Sequence, residues 1–584
     1  MSREVFEFLS ARKTLHLLSL SACAGAAAFL CWARYRLHPS SFFEIPWVRL
    51  FMRFMNAPPA FSLSVLYALY FLTQFLTLIF MHAGLETTLW DFGFNDSVIW
   101  NTGHGQFLTI PVRGGQNALG EHFTPIFILL APLYWLTDSV NALFLVQSLL
   151  LAACPPLVYG IAKRLNVSHL TALCLAFAAF FYQPMRNGIL FPFQIQTFAD
   201  PFLLFGFYAL LCQAPKRALL AFLLALLCKE NIVMEVFGIG LFMAAQKKKI
   251  GWVVCGLAAF VFLLNTKFIE PVFEFDYKWN KWGYYRHITH PTLAGWVDWA
   301  QNFFTLKTFR FLFLVFAPVL FLPFSARFWF LLLGPTLAVR LLTPFGGFRI
   351  IDAHYTAGLD ALLFIASAYG LSRLSQTAYG RMGEPLKRLL GFPSVESLVR
   401  AALLLCALLF AGRPQLFRLE QALWEASNPD NQHIVQMLQK VPSSHSVVAT
   451  ETFLAQMTHR HFIFGFASMD PGAPLEKKFQ NSDFLFVDRK RLLPNEKESW
   501  EKFQSRGYSL VYEYSFMSAW ANPSLLKSPE LEGLIQKWEA IENGPHLPYR
   551  KIVRRYYAKF ILGVIIAFIA AQFFWGSPKK ERAL

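Results

Sequence analysis

An all-α polytopic helical bundle in the membrane, with one small α/β soluble domain near the C-terminus, is the architecture this sequence predicts. Three observations predict it. The 584-residue chain is 55% hydrophobic, above the about 45–50% apolar content of soluble globular proteins. The excess is gathered into blocks such as Phe61–Ile79 and Ser139–Ala162, long enough or nearly long enough to cross a hydrocarbon core. Residues 414–559 break that pattern, because short strand-like runs there alternate with helical ones.

The elements follow in order. Residues 1–59 form an N-terminal extension with basic residues and one apolar run, Leu15–Trp32. That run continues through Cys23, past the point where a signal peptide would be cut, so an uncleaved helix is expected. Residues 60–413 form the polytopic domain. With the 1–59 and 560–584 runs, about a dozen membrane-crossing or membrane-embedded helices are expected. A strong helix, Phe61–His82, leads outward to a polar stretch, Gly84–Glu121. Phe123–Leu136 is too short to span comfortably and reads as tilted or re-entrant. The stretch Ala218–Gln246 has basic residues at both ends and Lys229-Glu230-Asn231 in its middle. Charge at mid-bilayer is costly, so two short helices with this triplet between them are expected. In residues 414–559, strands are expected at 446–450, 461–466, 483–488 and 508–512, with helices at 432–440 and 496–505. Residues 560–584 give a last apolar helix and a basic tail.

The formal charge of +17 does not point to nucleic acid. Its Lys and Arg residues lie in short runs between apolar blocks, as in Lys163–Arg164, Lys216–Arg217 and Lys247–Lys249. That is the mark of cytoplasmic loops, and no basic stripe on one folded domain is evident. Membrane lipids are the expected partners. All eight Cys lie in apolar stretches, which argues for packing and against a disulfide framework or a thiolate metal site.

Threading the chain through the membrane by its basic loops gathers the unusual polar residues on one, non-cytoplasmic face. They are Asp91, Asp96, His104, Glu121, His122, Arg186, Gln194, Gln196, Lys229, Glu230, Arg349, Asp352, His354 and Tyr355. Ionisable groups at membrane depth are functional candidates. Carboxylates there can act as general bases or hold a divalent cation. Arginine can clamp a phosphate and lysine can hold one as a point charge. Each also has a plain structural reading: Asp91 and Asp96 as helix caps, Lys229–Glu230 as an ion pair, His122 as a satisfied core residue. His287 and His290 are spaced like a helical pair but precede Pro291 in a loop, which argues against a metal site, and the other charged and aromatic residues of the 267–309 loop read as a solvated interfacial surface.

Four motifs carry a family resemblance. W-D-F-G-F-N-D with W-N-T-G-H-G (90–105), G-E-H-F-T-P-I-F-I-L-L-A-P-L-Y (120–134), L-L-C-K-E-N (226–231) and A-H-Y (353–355) resemble, in order and spacing, a family of bacterial and archaeal predicted membrane proteins known only as a domain of unknown function. That family resembles the C-type glycosyltransferases, multi-helix enzymes that use polyprenyl-phosphate sugars and carry an acidic residue in the first outer loop. The resemblance covers about residues 60–515. It implies Asp91 as catalytic carboxylate, with Asp96 second; Lys229 and Glu230 match the third motif and His354 the fourth, and these three, with His122, Arg349 and Tyr355 of the same outer-face group, are the substrate-binding candidates. Where relatives carry a His-x-Glu-like stretch this chain has P-F-Q-I-Q (192–196), so Gln194 and Gln196 stand in place of ionisable groups. The implied activity is sugar transfer from a polyprenyl-phosphate donor at the outer face of a bacterial inner membrane. Two other readings stay open: a transporter or flippase, expected to spread polar groups through the membrane, and a non-enzymatic scaffold whose soluble domain is the working part.

Overall fold

A computed structural model of the chain describes residues 53–546. It leaves out residue 191, the segments 274–284, 344–345, 378–394, 411–414 and 467–480, and positions 495, 498–499 and 502–505. The runs Leu15–Trp32 and Phe560–Trp575 lie outside the described residues.

The apolar runs become helices. Among the described residues, Pro59–Ala83, Asn141–Arg164 and Ile250–Val272 are long and apolar enough to cross a membrane singly. The first has 25 residues, and at about 1.5 Å per residue it exceeds the roughly 30 Å hydrocarbon core. The helices His169–Phe181, Ile195–Leu211, Trp329–Leu341 and Val399–Leu409 are apolar but shorter. Leu293–Phe303 and Leu306–Val319 form a pair bent by 55°. Much of the expected set of spans is therefore built from short pieces, and prolines and polar residues mark the breaks. Phe123–Leu136 forms two turns of helix, Ile126–Leu130 and Leu133–Leu136, divided at Pro132. The 218–246 stretch divides as expected, into Pro215–Leu226 and Val233–Ala245, with Lys229 extended between them. Val233–Ala245 packs tightly on Ile250–Leu264 through Gly240 and Gly251, where an added Cβ would run into the facing backbone. Small residues at such crossings are the usual solution in membranes.

Helix Leu359–Thr377 orients the bundle. At its C-terminal end Ser372 Oγ donates to Leu165 O (2.7 Å) and Tyr369 Oη to Gln246 Oε1 (3.5 Å). These are the turns that carry Lys163–Arg164 and Lys247–Lys249. Its N-terminal end follows directly on the turn His354–Thr356. The basic turns and the A-H-Y motif thus lie at opposite ends of the bundle.

The C-terminal part carries a five-stranded mixed sheet, after a small hairpin of β1 (Thr109–Ile110) and β2 (Gln116–Asn117) earlier in the chain. Its strands are β3 (Val447–Ala449), β4 (Ile463–Gly465), β5 (Phe484–Asp488), β6 (Ser509–Tyr514) and β7 (Met517–Ala521), in the order β4-β3-β5-β7-β6. β3 pairs in parallel with β4 and β5, and β7 runs antiparallel to β5 and β6. Helices Pro429–Gln439 and Pro529–Glu542 cover it, with Trp538 fully buried and its indole N–H donating to Met437 O at 3.0 Å.

This domain seats on the end of helix Pro59–Ala83. Asn431 Nδ2 donates to Gly84 O (3.3 Å), Arg491 Nη1 to Leu85 O (2.6 Å) and Gln456 Nε2 to His82 O (2.8 Å). Arg418 pairs with Glu86 at 3.2 Å.

Candidate functional site

A cavity of about 110 Å³ opens where the loop after helix Pro59–Ala83 meets the 227–232 break. Its polar lining is Trp90, Asn95, Glu121, His122, Thr124, Gln194 and Lys229, and Phe94, Ala118, Phe127 and Ile195 supply the apolar part.

Local sequence puts these side chains there. Trp90 and Asp91 lie in the single π-turn Leu89–Gly93, which runs into helix Phe94–Gly103. The hairpin β1–β2 closes through Gly114 (φ 71°) and Gly115 (φ 88°), left-handed positions that glycine fills without strain. Asn117 then caps the short helix Ala118–Glu121 by accepting from Leu119 N–H at 3.0 Å. The hairpin holds Arg113 and the cap holds Glu121, and the two pair at 3.6 Å. Arg113 also lies over the Trp90 ring, 5.4 Å from its centroid. Asn95 Nδ2 donates to Phe193 O (3.0 Å), next to Gln194.

Glu230 ties the second motif to the third. Its carboxylate accepts from His122 Nδ1 (2.8 Å) and from the Phe123 N–H (3.0 Å), and Ile126 N–H donates to Leu227 O (3.1 Å). Because a carboxylate only accepts, Nδ1 of His122 carries hydrogen and Nε2 remains for other partners. The Lys229 ammonium makes no hydrogen bond or ion pair among the described residues and lines the cavity. His354 is buried nearby. Burial first, then the charges of Lys229 and His122, pushes its imidazole well below the usual range. That favours the neutral form of His354.

The structure thus brings together four of the expected residues, His122, Lys229, Glu230 and His354. Arg349 is buried in the turn Gly346–Arg349, and the Tyr355 ring packs edge-on against Phe348. Asp352 accepts from Asn187 Nδ2 at 3.2 Å. The side chain of Asp91 lies outside the described part of the structure. Asp96 is described, and it faces another way. It is fully buried and accepts from Tyr134 Oη and Thr458 Oγ1, and His459 Nε2 lies 3.3 Å from it. His459 Nδ1 lies 3.1 Å from Asp138, which also accepts from Trp100 Nε1 at 2.8 Å. Asp96 therefore joins the loop to the C-terminal domain and does not line the cavity.

Two sets of residues were missed by sequence reasoning. One is the C-terminal domain's contribution: Glu451 accepts from Trp90 Nε1 at 2.5 Å, and Thr458 and His459 hold Asp96. The other is a buried network in the bundle. Arg340 Nη1 lies 3.3 Å from Glu235 and also donates to Thr336 Oγ1, and Arg340 Nε and Nη2 donate to Tyr355 O (3.0 Å) and Ala357 O (3.1 Å). Asp200 accepts from Gly358 N–H (2.8 Å) and Ala361 N–H (3.2 Å), and Asp360 from Thr356 Oγ1 (3.0 Å). The network fixes the backbone that carries His354. A charge inside an apolar run is the signal that could have found it.

Among the described residues no group of three or more His, Cys, Asp or Glu could hold a metal ion. Glu121, the carboxylate on the cavity wall, is paired with Arg113. The described donors do not fit a divalent cation.

Among known proteins, the family described as predicted membrane protein (DUF2079) matches residues 81–522, more than half of the chain. No curated protein matches it. Two solved structures of ArnT from Cupriavidus metallidurans are similar, one bound to undecaprenyl phosphate and one in the apo state. They align at 12% and 14% identity, both with a TM-score of 0.45. The alignments cover 80% and 77% of this chain and 98% and 97% of the other.

Proposed function

We propose a reaction for this chain, which belongs to the DUF2079 family of predicted membrane proteins: it transfers a sugar from a polyprenyl-phosphate donor to an acceptor hydroxyl. In this reading residues 60–413 hold the donor and residues 414–559 close the site, on the non-cytoplasmic side of a bacterial inner membrane. The observation that carries the proposal is Lys229. An ammonium without a hydrogen-bond or ion-pair partner among the described residues lines a cavity it shares with His122, with Glu121, whose carboxylate is paired with Arg113, and with the neutral polar side chains of Trp90, Asn95, Thr124 and Gln194. That pairing suits a phosphate at one end and hydroxyls at the other. A cavity of about 110 Å³ takes a headgroup, and the polyprenyl chain stays in the bilayer.

The motif assigns the base to Asp91. The acceptor O–H gives its proton to this carboxylate as the oxygen bonds the anomeric carbon. The bond from that carbon to the phosphate oxygen breaks, and polyprenyl phosphate leaves with the electron pair, held by Lys229. Asp96 is left with positioning, since its oxygens are engaged with Tyr134, Thr458 and His459.

The test pairs binding with transfer. Lys229→Gln should weaken binding of undecaprenyl phosphate about 10–100-fold, the worth of a charge-assisted contact. Asp91→Asn should leave that binding intact and lower transfer about 10²–10⁴-fold. Full transfer by Asp91→Asn would remove it as the base.

One observation favours a transporter or flippase instead. Asp200, Glu235, Arg340 and Asp360 are almost fully buried in the bundle, as a path for a charged substrate would require. Most of their described hydrogen bonds, however, go to backbone or to the threonines beside it. Lipid movement in proteoliposomes without an acceptor would support that reading.

A further inference from the structure

Trp90 is held from two directions. Its indole N–H donates to Glu451 of the C-terminal domain at 2.5 Å, and the Arg113 guanidinium lies over its ring at 5.4 Å. Glu451 is itself fixed. It opens the short helix that follows β3, and its backbone N–H donates to Glu496 Oε1 at 3.1 Å. A tryptophan clamped at its N–H and on a ring face has lost its rotamer freedom before any ligand arrives, which lowers the cost of binding against it. It is also on the cavity wall, together with Asn95, Glu121 and Gln194. Glu121 Oε2 is buried there and makes no hydrogen bond among the described residues. Planar amides and a carboxylate supply paired donors and acceptors at fixed spacing, and a buried acceptor without a partner asks for a hydroxyl.

Building on the proposed sugar transfer, we infer that Trp90 is the surface on which the sugar ring of the donor rests, with Glu451 as its positioning residue. The ring that fits is a neutral pyranose. Its C–H face packs on the indole, and its hydroxyls meet Glu121, Asn95 and Gln194. A cationic sugar would meet Arg113 and Lys229 in the same space. The C-terminal domain thereby sets which donor is taken, although Glu451 does not reach the reacting atoms itself.

The experiment uses the purified full-length chain and native mass spectrometry. Binding of bare undecaprenyl phosphate is compared with that of undecaprenyl-phosphoryl glucose, mannose and galactose. The wild type should prefer at least one sugar-bearing lipid over the bare one. Trp90→Ala and the isosteric Glu451→Gln should each reduce that preference about fivefold, as loss of an aromatic contact does. Binding of the bare lipid should stay within about twofold. Trp90→Phe keeps a ring and loses the N–H, so adding Glu451→Gln to it should change nothing further. Equal weakening of bare and sugar-bearing lipids would show that Trp90 only supports the fold and would overturn the inference. So would a wild type that prefers none of the three sugars, with the proposed reaction still standing. A wild type that binds no lipid of either kind would retire the proposed reaction and this inference together.

Discussion

His459 lies between two carboxylates, 3.3 Å from Asp96 and 3.1 Å from Asp138, with its ring stacked on Trp100 at 5.6 Å. Burial lowers its pKa, but Asp96 and Asp138 outweigh that and raise it from 6.5 to about 9. Burial raises the Asp96 carboxyl, and the His459 charge with the hydrogen bonds from His459, Thr458 and Tyr134 brings it below its ordinary value. The signs fix the pH window. A raised histidine contributes its full stabilisation below about pH 6.5 and loses it as pH rises through about 9. A depressed carboxyl contributes above its ordinary value and loses it as pH falls through the folded one. The seating of the C-terminal domain should therefore weaken between about pH 6.5 and 9. Hydrogen exchange of the peptides around Phe94–Gly103 and Thr458–His461 should rise across that range. In His459→Gln it should be high throughout, because Asp96 is left buried without its cation, at a cost of roughly 3–5 kcal/mol. Exchange that is flat with pH in the wild type would show that His459 is not the group holding the joint.

Breaks in helices, more than the helices themselves, make the site. Glu230 can meet His122, and Lys229 can line the cavity beside it, because the 218–246 stretch stops being helical between Leu226 and Val233. That break was legible, since the cost of charge at mid-bilayer demands one. The four strand runs expected at 446–450, 461–466, 483–488 and 508–512 are strands β3 to β6. Strand β7, Met-Ser-Ala-Trp-Ala, was not, because it lacks β-branched residues and owes its place to pairing on both sides. The same contrast runs through the site. His122, Lys229, Glu230 and His354 stand out as ionisable groups near apolar runs, whereas Glu451 and His459 look like ordinary surface residues of a soluble domain until Trp90 and Asp96 are seen beside them. Glu235 and Arg340 are 105 residues apart, so neither announces the other. Their pairing leads to a prediction at this scale. Arg340 joins helix Val233–Ala245 to the 355–357 backbone. Arg340→Met leaves Glu235 buried and uncompensated, and thermal unfolding in detergent should show a loss of roughly 3–5 kcal/mol. Glu235→Gln added to it should restore part of that loss. A change within about 0.5 kcal/mol for Arg340→Met, the size of an ordinary surface substitution, would mean the network holds nothing.

At the scale of the whole molecule, two facts fix which parts share a side of the membrane. The C-terminal domain hydrogen-bonds to the end of helix Pro59–Ala83 and to the loop after it, through Gly84, Leu85, Glu86, Trp90 and Asp96. Domain, loop and cavity must then lie together. Helix Leu359–Thr377 separates that end from the turns carrying Lys163–Arg164 and Lys247–Lys249, with about 20 Å of helix between Leu359 and Ser372. Basic turns mark the cytoplasmic side, so the proposed reaction expects the site and the whole C-terminal domain outside. Single cysteines test this in intact cells with an impermeant thiol reagent. The native cysteines lie in apolar runs, and the unsubstituted chain measures their background. His104 and Gln536 are exposed at the site end, and Lys248 is exposed at the other. His104→Cys and Gln536→Cys should label in intact cells, and Lys248→Cys only after permeabilisation. The pair His104 and Gln536 is the sharper half of the test, because one is in the first loop and the other more than four hundred residues later in the C-terminal domain. Labelling of one without the other would separate the domain from the loop it binds here and, with it, Glu451 from Trp90. Labelling of Lys248→Cys alone in intact cells would turn the molecule over, keep the site in one piece and place sugar transfer on the cytoplasmic face.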